Sequence, residues 1–180
     1  MNNTENIEVR RAEKTEKAII RNLMEYYQYD ATEFSNEDPC SLGLFGYKYL
    51  DHYWTEHGNE VEGRIPYLVK VNGNLAGFVL INNFSLYDRK PDVKTNTIAE
   101  FFIMRKWRKL GVGRKAAIKI FDNHQGNWEV KQEKENYVAQ IFWESVIQQY
   151  SNGRYTKIES FLPKWEGPII IFNNQYEIQV

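Results

Sequence analysis

The sequence predicts a mixed α/β domain, and three observations carry that reading. Apolar positions alternate between a two-residue and a 3.6-residue period along the chain. A tight-turn signal, Asn72-Gly73-Asn74, separates two apolar strands. A buried-type strand, Thr97–Met104, runs through a basic segment and two glycines into an amphipathic helix. In order, Ile7 and Val9 suit a short first strand, and Thr15 is placed to cap a helix over 16–30, whose apolar positions are Ala18, Ile19, Leu23, Tyr26 and Tyr27. Turn formers from Ser35 to Gly46 make a loop, and 47–57 reads as a short second helix. Pro66–Val71 and Leu75–Asn82 form a hairpin, and the polar residues 83–95, with Pro91, form a loop. Gly111 and Gly113 open a helix that Gly126 ends, Trp128–Val130 is a strand, and 136–150 is a second apolar helix. Arg154–Leu162 and Ile169–Phe172 close the chain as strands, giving the order β-α-(α)-β-β-β-α-β-α-β-β.

Composition removes several function classes. The 180 residues suit one domain, and 23 basic against 24 acidic residues argue against a nucleic-acid binder. A single cysteine, Cys40, excludes an intramolecular disulfide, and three scattered histidines give no metal site, so no metal is expected. No apolar run approaches the ~18 residues of a membrane span. The polar N-terminus is unlike a signal peptide, so a cytoplasmic protein without a membrane partner is expected.

The stretch 98–116, IAEFFIMRKWRKLGVGRKA, points to an anion. Glycines before a helix turn backbone N–H groups toward a ligand, and the helix N-terminus adds positive potential. Arg105, Lys106, Arg108, Lys109, Arg114 and Lys115 surround them. A P-loop pattern is absent. Gly111, Gly113 and Ala116 match a dinucleotide fingerprint, with Glu129 downstream, but the strand ends well before the first glycine. Arg108-Lys109-Leu110-Gly111-Val112-Gly113 resembles the Arg/Gln-x-x-Gly-x-Gly/Ala signature of the GNAT superfamily of N-acetyltransferases. Downstream, Asn136-x-x-Ala139-x-x-Phe142-Trp143-Glu144 is similar to that superfamily's Asn-x-x-Ala-x-x-(apolar)-Tyr-Glu block.

The resemblance implies an acyl-CoA N-acyltransferase fold, a mixed, mostly antiparallel central sheet flanked by helices. One domain would span 1–180: acceptor-side strand and helices at 1–60, a coenzyme A-binding core at 66–150 and closing strands at 154–180. It implies acetyl-CoA as cosubstrate and a small-molecule amine as acceptor. Backbone groups of Phe101, Phe102 and Ile103 would hold the pantetheine arm. Amides around Arg108, Lys109, Leu110, Gly111, Val112, Gly113 and Arg114 would hold the pyrophosphate, and Asn136 would touch the coenzyme. Side chains of Lys106, Lys109 and Arg114 would meet the adenosine phosphates. A backbone N–H near Ile103 would stabilise the developing oxyanion. Glu129 and Glu100 are the candidate bases for removing the ammonium proton.

Trp143 stands where many relatives have a proton-donating Tyr, and indole N–H is no acid at neutral pH. Tyr137 or Tyr150 would substitute, or the thiolate would leave unaided. This departure keeps a non-catalytic coenzyme A-binding sensor or regulatory module in view. On the acceptor side, Tyr26, Tyr27, Tyr29, Asp30, Glu33, Glu37, Asp38, Tyr53 and Trp54 suit a cationic amine. A homodimer paired through an exposed C-terminal strand is left open.

Overall fold

A computed structural model describes residues 6–87, 93–162 and 165–175. Pro91 and the N-terminal residues 1–5, used above, lie outside them. The strands are β1 (Ile7–Arg11), β2 (Ile65–Val71), β3 (Asn74–Asn82), β4 (Thr95–Ile103), β5 (Asn127–Lys131), β6 (Tyr155–Leu162) and β7 (Trp165–Asn173). The helices are α1 (Lys17–Ala31), α2 (Glu56–Glu60), α3 (Val112–Asn123) and α4 (Tyr137–Tyr150). The strands form one sheet in the order β1-β2-β3-β4-β5-β7-β6. Neighbours are antiparallel except β4 and β5, which run parallel. The β2–β3 hairpin turns through Asn72 (φ 51°) and Gly73 (φ 78°), the left-handed pair that this tight turn requires.

Alternation within the strands loads both faces of the sheet. Val69, Val79, Trp128, Val130, Ile170 and Phe172 pack under Ala117, Phe121, Trp143 and Ile147 of α3 and α4. Leu68, Phe78, Leu80 and Phe102 pack on the opposite face against Ile20 and Met24 of α1 and against Tyr53. Each large apolar side chain so buried contributes about 1.5–3 kcal/mol, whereas exposed ion pairs such as Lys134–Glu166 contribute about 0–1 kcal/mol. The two apolar layers therefore hold the fold. No helix among the described residues is long and apolar enough to cross a membrane.

Three local expectations change. Thr15 is no cap: it lies in a 3-10 turn, Lys14–Glu16, closed by a reciprocal Glu13–Glu16 box. The segment 47–57 is not one helix but a 3-10 turn, Leu50–Trp54, followed by α2, with Thr55 capping α2 by accepting from the Gly58 amide. The last strand, β7, begins at Trp165 and is paired on both sides, by β5 and β6, so it offers no edge for dimer pairing.

Gly77 lets β3 pass close to β4: a Cβ there would lie 1.9 Å from the Phe102 carbonyl oxygen. Gly77→Ala should therefore lower unfolding free energy by about 1–3 kcal/mol in urea titrations.

Candidate functional site

The site is built around a fork in the sheet. β4 and β5 pair over four positions, ending at Ile98–Val130. At that level β4 carries a bulge: Ile81 faces Ile98 and Leu80 faces Glu100, so Ala99 is the extra residue. Beyond it β5 stays with its other neighbour, the Gln132 amide bonding to the Pro168 carbonyl. The β5-facing edge of β4 is thus unpaired from Ala99 to Ile103. The Met104 amide bonds to the Ala76 carbonyl, which sets the alternation along β4. Glu100 and Phe102 exchange backbone bonds with β3, while Phe101 and Ile103 turn theirs to the open edge. Of the three expected backbone contacts, Phe102 is therefore occupied, and Phe101 and Ile103 face the gap. The Ile103 carbonyl already accepts from Arg108 Nε at 2.7 Å.

The open edge leads into the glycine loop. Lys109 (φ 61°) and Gly111 (φ 78°) are both left-handed, which curls successive amides inward. Among the described residues, the backbone N–H groups of Lys109, Leu110, Gly111, Val112, Gly113 and Arg114 meet no acceptor. Gly113 is needed for packing, since a Cβ there would press on the Phe142 ring of α4 at 3.3 Å.

The side-chain charges of the loop are mostly engaged elsewhere. Arg105 and Arg108 both bind Asp30 at the end of α1. The Arg108 amide bonds to Arg105, so neither end of Arg108 fits its expected contact with a ligand. The Arg114 guanidinium is tied to Ser145 and Gln149 of α4, and Lys106 lies over the Trp107 ring at 4.7 Å. What the loop offers an anion is its row of amides.

Glu100 projects onto the opposite sheet face from Phe101 and Ile103, beside α1. It is half-buried, with the hydroxyls of Tyr27 and Tyr47 turned toward it. Desolvation outweighs those hydroxyls and pushes its carboxyl up to about 7. Burial, then Glu135 and Glu37, raises Glu133 as well, and burial holds Lys131 below the usual lysine range. Glu37 and Asp38 border a groove of about 590 Å³ with Tyr29 and Phe45. Tyr26 points to solvent, and Asp30 faces the two arginines instead of a ligand.

The other expected residues take structural places. Glu129 is buried, accepting from Ser85 Oγ at 2.6 Å, from the Leu86 amide at 2.8 Å and from the Tyr87 amide at 2.9 Å. Its oxygens fasten the loop after β3 and are not presented to a substrate, which corrects its expected role as base. The Asn136 side-chain oxygen caps α4 by accepting from Ala139 at 3.0 Å. Tyr137 is 68% exposed in the first turn of α4, away from the fork interior, and Tyr150 donates to Asp122 at 2.8 Å. Trp143 is core, its ring 4.9 Å from that of Phe101. The sequence reading missed Tyr47 and Lys131; Tyr47 comes from the segment after α1 and Lys131 from the neighbouring strand β5, so neither leaves a local signal.

The two carboxylates should separate in denaturation experiments. A carboxyl raised above its ordinary range destabilises the fold as pH rises toward about 7, because the unfolded chain ionises it more easily. Glu100→Gln should therefore match or exceed the parent protein in stability at pH 8. Glu129→Gln should lose roughly 1–3 kcal/mol.

No protein-family model matches this sequence, and no curated protein matches it. Solved structures do. A GNAT-family acetyltransferase from Staphylococcus aureus Mu50 is 16% identical, with 93% of this chain and 99% of that one covered at a TM-score of 0.59. The PaiA N-acetyltransferase of Thermoplasma acidophilum, solved with coenzyme A, is 8% identical, with 94% and 99% covered at 0.58. A spermidine N-acetyltransferase chimera from Vibrio cholerae and hSSAT is 14% identical, with 93% and 95% covered at 0.56. The forked sheet, the glycine loop and these likenesses agree: the chain has the fold of the GNAT acetyltransferases.

Proposed function

We propose that the protein is an acetyl-CoA-dependent N-acetyltransferase that acts on a primary amine of a small molecule by direct attack on the thioester. One observation carries this reading: an unpaired strand edge leads directly into six unpaired amides, from Lys109 to Arg114. Such a donor set suits an amide-bearing arm that ends in a pyrophosphate. Acetyl-CoA supplies the acetyl group, activated as a thioester. The amides from Lys109 to Arg114 bind its pyrophosphate, and the open edge of β4 orients its arm. The Asn136 side-chain nitrogen, left over from capping, faces the same ligand. The Phe101 and Ile103 N–H groups donate toward a carbonyl oxygen that gains negative charge. Glu100 takes the proton of the incoming ammonium from the other face, and a base with a pKa near 7 suits that work at neutral pH. The leaving thiol has a pKa of ~8.5, so its departure requires no acid at the position of Trp143. The fold neighbours named above as acetyltransferases support the reaction class, and a spermidine enzyme among them supports an amine acceptor.

A second reading, a non-catalytic coenzyme A sensor, draws on Trp143: it is 5% exposed, sealed into the core, and brings no hydroxyl to the fork. Turnover of any amine decides against it.

A thermal melt with acetyl-CoA, coenzyme A and ATP tests the reading. At one hundred times the dissociation constant, binding to the native state should add ~2.7 kcal/mol, for both coenzyme forms and not for ATP. No shift at millimolar acetyl-CoA would refute it. In turnover assays kcat/KM should rise with pH through about 7, as Glu100 loses its proton. Glu100→Gln should abolish that rise and lower kcat by roughly 10²–10⁴-fold.

A further inference from the structure

The chain leaves β4 through a turn that brings Arg108 back to the strand just completed. The Trp107 amide bonds to the Met104 carbonyl at 2.8 Å, and the Trp107 indole nitrogen donates to the Leu75 carbonyl of β3 at 3.2 Å. Arg108 then folds over the Phe102 ring, its guanidinium carbon 5.7 Å from the ring centre. Its Nε donates to the Ile103 carbonyl at 2.7 Å. One terminal nitrogen pairs with Asp30, whose other oxygen holds Arg105 at 2.8 Å. A ring face, a carboxylate and a carbonyl therefore fix this side chain. Arg108 stands at the head of the glycine loop, yet its side chain serves the strand.

The result is a local imbalance of donors and acceptors. The Phe102 carbonyl faces β3, the Met104 carbonyl accepts from Trp107, and the Ile103 carbonyl accepts from Arg108. The carbonyls at the end of β4 are thus all engaged, while the Ile103 N–H still faces the open edge. Two residues earlier, Phe101 turns both its N–H and its carbonyl to that edge, which suits an amide of an extended arm. A carbonyl oxygen that gains negative charge has a different requirement: a donor with no bare acceptor beside it. An uncovered Ile103 carbonyl would set the negative end of a dipole next to that charge. A bond from a guanidinium, charge-assisted and short, cancels it. We infer that Arg108 is a positioning residue for acetyl transfer: by covering the Ile103 carbonyl it leaves the end of the open edge with a donor alone, and so directs the thioester oxygen to the Ile103 N–H. This inference rests on the N-acetyltransferase reading, and it narrows the two N–H groups named there to one.

Two substitutions separate the donor from the charge. Glutamine carries its amide nitrogen as many bonds from Cα as arginine carries Nε. Arg108→Gln therefore keeps a donor for the Ile103 carbonyl and loses the reach to Asp30, whereas Arg108→Met has similar length and no donor. The Arg108 side chain is 41% exposed, so neither change opens a void and both variants should fold. With acetyl-CoA and the most rapidly acetylated amine both saturating, Arg108→Met should lower kcat by about tenfold or more. Its KM for acetyl-CoA should move much less, and Arg108→Gln should recover most of the lost kcat. Equal kcat in the two variants, or a loss carried wholly by KM, overturns the inference. Isotope-edited infrared spectroscopy reads the same contact without turnover. Acetyl-CoA labelled at its thioester carbonyl should absorb at lower frequency when bound than when free. That shift should shrink in Arg108→Met and return in Arg108→Gln. A band that binding leaves in place, or that Arg108→Met leaves as in the parent, removes the inference while the acetyltransferase reading stands. Absence of acetyl-CoA binding to the parent protein removes both.

Discussion

The parallel contact between β4 and β5 lasts only four residue pairs, and the chemistry of the molecule follows from where it stops. Ala99 bulges out of β4 at that level, and β5 continues along β7. The strands separate without leaving the sheet, so each keeps one bonded neighbour and the fork is stiff. A stiff fork is what a binding cleft needs, because the free N–H groups of Phe101 and Ile103 are held in place by β3 before any ligand arrives. Fork and glycine loop are then continuous. One wall supplies bonds to an extended chain, and its end supplies a cradle for negative charge.

The loop reaches its anion-binding form through backbone geometry more than through charge. Two left-handed residues, Lys109 and Gly111, bring consecutive amides to one side, and α3 adds its own unsatisfied first turn. All three arginines of the run face protein partners: Arg105 and Arg108 hold Asp30, and Arg114 holds α4. The basic run that draws attention in the sequence is thus largely scaffolding around the cradle.

Much of the architecture was legible in the sequence because it depends on local patterns. The Asn72-Gly73 turn fixed the hairpin, and the apolar period separated α3 and α4 from the strands. The glycine loop was legible for the same reason, since its spacing and its conformation are both local. The acceptor side was not. Glu100 stood out as an acid in an apolar strand, but Glu129 has the same pattern, and only tertiary contact divides them: Ser85, Leu86 and Tyr87 close over Glu129, while Glu100 meets tyrosine hydroxyls from distant segments. Asp30 looked like part of an acidic acceptor wall until its partners, more than seventy residues away, came into place. The helix expected over 47–57 broke because Thr55 caps a new helix at Glu56 instead of continuing the old one.

Asp30 itself has a consequence for descent. It is the last acidic residue of α1, on the acceptor side, and it grips Arg105 and Arg108 on the approach to the glycine loop. A neutral residue at 30 would strand two cations, and a neutral residue at 105 or 108 would loosen the end of α1. The three positions therefore form one unit of inheritance. Among related sequences, residue identities at 30, 105 and 108 should change together, and the face around Tyr27 and Tyr47 can diversify only while that triplet keeps α1 in register with the approach to the glycine loop.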